Sequence, residues 1–188
     1  KKSTYINLRW IAIIGQLITI NLIYFFFDFK FDLILENSII LIGILSNLYL
    51  IYINKNTQLL DKTAFLFLLI DILQLSFLIY LTGGIANPFA IFLIIPTIFS
   101  SLNLGVRSNL LLAIITILII ILLTFYNQPL PYPMNEHFHV DNYYYYSISI
   151  SLIIALIFLD YFALIFGKES RIRKEALNKM EEIMSKEH

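Results

Sequence analysis

The chain has 188 residues, 59% of them hydrophobic and 14% charged, with a formal net charge of +0. Its mean hydropathy is +0.80, whereas soluble domains run about 45–50% apolar and about 25% charged. More apolar surface is present than one water-facing core can bury, which excludes a soluble enzyme, a disordered chain and a nucleic-acid binder and leaves an integral membrane protein.

Apolar stretches separated by short polar interruptions predict membrane-spanning helices over 10–27, 38–53, 64–81, 88–104, 108–126 and 143–166. Most sit at the short end of the about 17–25 residues that cross a bilayer. The run 110–123 shows no alternation of apolar and polar residues, so helices are expected rather than the strands of a membrane barrel. The expected fold class is an all-α integral membrane protein. A six-transmembrane-helix bundle fills 1–166, and a cytoplasmic juxtamembrane helix fills 167–188. The basic start followed by an apolar stretch lacks a small-residue cleavage site, which predicts a first span rather than a cleaved signal.

Of the 13 Lys and Arg residues, only Lys30 falls in a loop on the far side if the N-terminus is inside. That asymmetry predicts both termini in the cytoplasm. The first outer loop would carry Asp28, Asp32 and Glu36, and Trp10 and the tyrosines at 143–146 would form interfacial belts. Gly167 is expected to break the last span from its tail. Within that tail, Arg173, Leu177, Met180 and Met184 form one short coiled-coil seam, and Ile172, Ala176 and Ile183 form a competing one.

Several polar residues fall inside spans. Asp71 and Gln74, three apart, share a helix face, and an intramembrane carboxylate marks function by default. Asp71 is expected to make an interhelical contact, too deep to touch a ligand at the loop near Gly83 unless that ligand enters the bundle. Asp160 is expected to reach water or pair with Arg9. Pro96 should bend the fourth helix and free the Phe92 carbonyl, with ordinary kink and packing roles favoured over a buried polar site shared with Asn103. His137 and His139, beside Glu136 in a loop with Pro129, Pro131 and Pro133, lack further ligands and read as solvated rather than metal-binding.

The connection between the third and fourth spans is the one outer loop without charge. Gly83 and Gly84 stop a helix; Asn87 caps the next one and Pro88 opens it. A tight hairpin of this kind leaves backbone N–H groups free in an apolar setting. A neutral ligand with carbonyl oxygens could accept from them while Phe89 stacks on its ring.

The string Gly83-Gly84-Ile85-Ala86-Asn87-Pro88-Phe89 resembles the G-G-x-x-N-P-F motif of the RegB/PrrB family of redox-sensing histidine kinases. Asp71-Ile72-Leu73-Gln74-Leu75 one helix earlier and Leu8-Arg9-Trp10 at the first span are similar too, so the resemblance covers nearly the whole chain. It implies the sensor region of a homodimeric two-component kinase of the bacterial inner membrane. The sensed ligand would be a quinone, ubiquinone in the first place, held by Gly83, Gly84, Asn87, Pro88 and Phe89. Asp71 and Gln74 are then candidates for signalling. ATP, the phosphoacceptor histidine and a cognate response regulator belong to a kinase core that these residues do not contain, and no catalytic motif occurs within them. A small membrane carrier or channel lined by Asp71, Gln74 and Asn103, or a quinone-binding subunit of a respiratory assembly, is the alternative.

Overall fold

The structure is a computed structural model and describes residues 2–53, 59–132 and 139–187. Lys1, Lys55, Pro133, Glu136, His137 and His188 lie outside the described residues. Long apolar runs become helices α1 (Lys2–Phe26), α2 (Leu33–Ile53) and α3 (Asp61–Leu81). After α3 the chain makes two 3-10 turns, Gly84–Ala86 and Pro88–Leu93, and continues as α4 (Ile94–Asn103), α5 (Val106–Phe125) and α6 (Asn142–Glu187). Helices α1, α2, α3, α5 and α6 are long and apolar enough to cross a membrane, while the fourth stretch, Pro88–Asn103, is shorter. The fold is an all-α, multi-pass membrane bundle.

The fourth segment departs from the expected kinked helix. Pro88 has no N–H and presets its own φ, and Pro96 removes the donor that would bond the Phe92 carbonyl. The chain takes tighter 3-10 turns before Pro96, with Ile94 N donating to Ile91 O, and turns α-helical only from Ile94. Asn103 is exposed, and its Nδ2 donates to Phe99 O in its own helix at 2.9 Å. It therefore does not join Phe92 in a buried polar site.

Helix α6 also differs from expectation, because it runs 46 residues without interruption through Gly167. Gly167 is a point of close approach rather than a break. A Cβ there would lie 3.4 Å from Ser101 O and 3.5 Å from Leu102 Cα, at the end of α4. Beyond it both seams are solvent-facing; Ile172, Leu177, Met180, Ile183 and Met184 are all more than half exposed.

Helix α1 lies mainly on α2, and α2 on α3, while α3, α4, α5 and α6 pack together. The larger core joins Leu68, Ile72, Leu93, Leu112, Ile120 and Leu156, and a smaller one joins Ile13, Ile39, Ile40 and Leu78. At the tail end of the bundle, Asp61 ties α3 to the α4–α5 turn. Its Oδ1 accepts from Gly105 N at 3.0 Å and its Oδ2 from Ser108 Oγ at 2.7 Å. Because α1 leans on α2 while the fourth segment leans on α3 and α6, a cleft opens between α1 and the fourth segment. Their one aromatic contact across it is the stacked pair Tyr5–Phe99, with centroids 5.1 Å apart.

Candidate functional site

Helix α1 places Tyr5, Arg9, Ala12 and Gln16 on one stripe, since residues three and four apart share a face. Helix α3 sets Asp71 and Gln74 opposite. Arg9, only 4% exposed, makes a forked ion pair with Asp71: Nη2 to Oδ1 is 2.6 Å, and Nε reaches Oδ1 at 2.9 Å and Oδ2 at 3.1 Å. Tyr5 donates its hydroxyl to Asp71 Oδ2 at 2.8 Å, while Arg9 also donates to Ser46 Oγ at 2.6 Å and Asn47 Oδ1 at 3.2 Å. The guanidinium lies 5.2 Å from the Phe67 ring centroid, an apolar surface that also favours the cation. A buried pair holds only when its remaining donors and lone pairs are satisfied, and Tyr5, Ser46 and Asn47 do that. Arg9 therefore pairs with Asp71, which removes one of the two outcomes expected for Asp160.

Asp160 instead accepts from Asn109 Nδ2 at 2.9 Å, in a site between α5 and α6. Asp160 Oδ1 and Asn109 Oδ1 both lack partners among the described residues. Glu36, expected in a solvated loop, lies within α2 and is only 1% exposed.

One turn along α3 from Asp71, Gln74 Nε2 donates to Gln16 Oε1 at 2.9 Å. Gly43 of α2 makes the room, since a Cβ there would lie 3.4 Å from Gln74 Nε2. An amide pair joined by one such bond keeps a spare donor and a spare acceptor, whichever way the two amides are turned.

A cavity of about 530 Å³ occupies the cleft above these groups. Asp71, Arg9, Gln16 and Gln74 line its deep wall; Thr82, Asn87 and Phe89 line it at the hairpin. Exposed apolar side chains flank its mouth, with Ile11 at 68% and Ile95 at 55%, so it opens sideways, toward lipid. Most of the wall is aliphatic or aromatic, as expected of a small-molecule pocket with a few orienting polar groups. Asp71 is thus not walled off from the loop, because the same space reaches both.

The hairpin residues divide into two groups. Asn87 and Phe89 line the cavity, whereas Gly83, Gly84 and Pro88 do not. Gly83 and Gly84 have φ of +105° and +59°. They also pack where a side chain cannot fit: a Cβ on Gly83 would overlap Leu130, and one on Gly84 would overlap Asn127 and come within 2.8 Å of Leu123 O.

The expectation of bare amides at the start of the fourth segment is overturned. Asn87 Oδ1 accepts from Phe89 N at 2.9 Å, Asn87 O accepts from Ala90 N at 2.9 Å, and Pro88 has no N–H. Asn87 Nδ2 is spent on Thr82 Oγ1 at 2.8 Å and Thr82 O at 3.2 Å. Free hydrogen-bonding capacity therefore sits deeper, at the glutamine pair. Sequence reading missed Tyr5, Arg9 and Gln16 as partners of Asp71 and Gln74; their spacing along one face of α1 was the available signal. The exposed His139 belongs to no cluster of three metal-ligating residues among the described residues.

Fold and site together define a polytopic helical membrane domain with a ligand-sized, lipid-facing cleft built on an intramembrane ion pair. Residues 3–171 match the family described as PilS-like transmembrane domain, a six-span domain, and the chain belongs to that family. Among curated proteins it is similar to sensor histidine kinase RegB of Cereibacter sphaeroides, 28% identical over 175 residues. That alignment covers 93% of this chain and 38% of the relative, so the chain spans well under half of the protein it resembles. The kinship with the membrane sensor region of the RegB/PrrB family, read from residues 83–89, is borne out. No solved structure matches.

Proposed function

We propose that this chain is the quinone-sensing membrane region of a two-component sensor histidine kinase, and that it controls autophosphorylation of a kinase core beyond these residues. The observation that carries the reading is the 530 Å³ cleft joining Asn87 and Phe89 of the hairpin to Asp71 and Gln74. Pockets that hold small molecules run about 300–1,000 Å³, and a lipid-facing mouth suits a ligand dissolved in the bilayer. An oxidised quinone only accepts hydrogen bonds, whereas the quinol also donates. The spare donor and spare acceptor of Gln16 and Gln74 meet the two forms differently, and a two-state protein responds only to such a difference. Gly83, Gly84 and Pro88 act on the ligand by shaping the hairpin, and Phe89 by stacking on its ring.

Signal leaves through α6, which packs against the Gly84–Ala86 turn and continues into the tail. There the exposed seam would join a second copy, making the homodimer on which kinase output to a response regulator depends. In this reading the protein sits in a bacterial inner membrane with both termini in the cytoplasm, and ATP serves only the kinase core.

The test is quinone affinity and quinone-dependent autophosphorylation of the full-length protein in nanodiscs. Phe89→Ala and Gln74→Leu should each weaken binding of decylubiquinone about tenfold, as loss of a stacking or hydrogen-bonding partner does. Gln16→Leu should narrow the difference between oxidised and reduced ligand. Unchanged affinity and unchanged kinase control in all three variants would overturn the assignment.

A further inference from the structure

A second pocket, of about 510 Å³, lies at the hairpin end, outside the cleft described above. Residues from the α1–α2 connection and from the segment after α5 line it: Lys30, Phe31, Asp32, Glu36, Gln128 and Tyr132 among them. Glu36 is its most unusual member. It is 1% exposed, and neither carboxylate oxygen has a hydrogen-bond partner among the described residues. Asp32 has a local task, with Oδ1 accepting from Leu35 N at 3.1 Å and its carbonyl accepting from Glu36 N at 3.0 Å. Nothing of the kind engages the Glu36 carboxylate. A buried carboxylate without donors is among the costlier features a fold can carry, and in membrane proteins it marks a site by default.

The surroundings say what would suit it. Two carboxylates and one ammonium line the pocket, so an added cation balances their formal charges. Phe31 and Tyr132 add aromatic rings to the lining, and ring faces attract cations. A metal ion fits poorly, since no group of three His, Cys, Asp or Glu comes together among the described residues. An ammonium head needs fewer ligands and brings the N–H donors that both Glu36 oxygens lack. Lys30 lines the same pocket but forms no ion pair with Glu36, which leaves it as a competitor for the site.

We propose that this pocket binds a primary ammonium group, with Glu36 as its anion and Phe31 and Tyr132 as its walls. The ammonium can come from a free amine or from the headgroup of phosphatidylethanolamine, since both present the same donors. Lys30, a like charge in the same lining, opposes their binding.

The test uses the protein in nanodiscs of pure phosphatidylcholine, titrated with n-butylammonium and followed by saturation-transfer NMR and calorimetry. Saturable binding is expected, weakened at least about tenfold in Glu36→Gln, which keeps the shape and removes the charge. Lys30→Gln should tighten binding and Phe31→Leu weaken it, while thermal unfolding shows all three variants folded. Repeating the titration with phosphatidylethanolamine in the discs separates the sources: a lipid source raises the apparent dissociation constant, and a soluble source leaves it unchanged. No saturable binding to the unaltered protein, or equal binding to Glu36→Gln, would overturn the proposal. The quinone reading does not depend on either result.

Discussion

Arg9 illustrates how much a single side chain organises. Its guanidinium makes five hydrogen bonds to Asp71, Ser46 and Asn47, joining α1, α2 and α3 at one buried point. Removing one member of such a pair strands the other charge, which costs about 3–5 kcal/mol, whereas removing both can cost little. Arg9→Leu and Asp71→Leu should each lower the thermal unfolding temperature sharply, and the double variant should recover most of the loss. Additive losses would show that the pair does not act as a unit. Gly84 makes a different demand. Its φ of +59° and the nearness of Asn127 predict that Gly84→Ala strains the turn by about 1–3 kcal/mol, read as faster proteolysis at the hairpin. Asp160→Asn should raise stability, since it keeps the site's shape and removes a charge from a position 6% exposed.

At the scale of elements, continuous apolar runs made α1, α2, α3, α5 and α6 legible, because a membrane helix needs little besides length and apolarity. The fourth segment was less so. Asn87, Pro88 and Pro96 announced irregularity, but 3-10 geometry depends on which carbonyls find donors once the chain is packed. The Arg9–Asp71 pair was missed because its partners lie 62 residues apart, and Arg9 stood at what looked like the edge of a span. Gly167 was misread for a related reason: glycine ends helices in isolation, yet it also lets two helices touch, and only packing distinguishes the two. Gly167→Ala should therefore be tolerated, with a gain of up to about 1 kcal/mol from helix propensity, because its Cβ would meet only ordinary contacts. Gly167→Leu should push α6 from Ser101 and Leu102 and lower the melting temperature.

For the molecule as a whole, the charge asymmetry makes a topological prediction that the lack of cysteine renders easy to check. A single cysteine at Lys30 should react with a membrane-impermeant maleimide in intact cells, and one at Lys168 only after permeabilisation. The reverse pattern would invert the bundle. Of the candidate site, the hairpin's turn chemistry was visible from its residues. Its division of labour was not, because which side chains face a cavity and which merely shape a turn is set by neighbours such as Leu130 and Asn127.

The unbroken course of α6 has a mechanical corollary. At 1.5 Å per residue its 46 residues make a rod about 69 Å long, and roughly half of it projects past the bundle as a free arm. Pivoted where Gly167 rests on α4, a tilt of about 5° at the embedded half sweeps the far tip through roughly 3 Å on that geometry. A displacement beside the hairpin is thereby relayed to the distal end at nearly equal size, and a stiff lever of this kind needs no joint to deliver it.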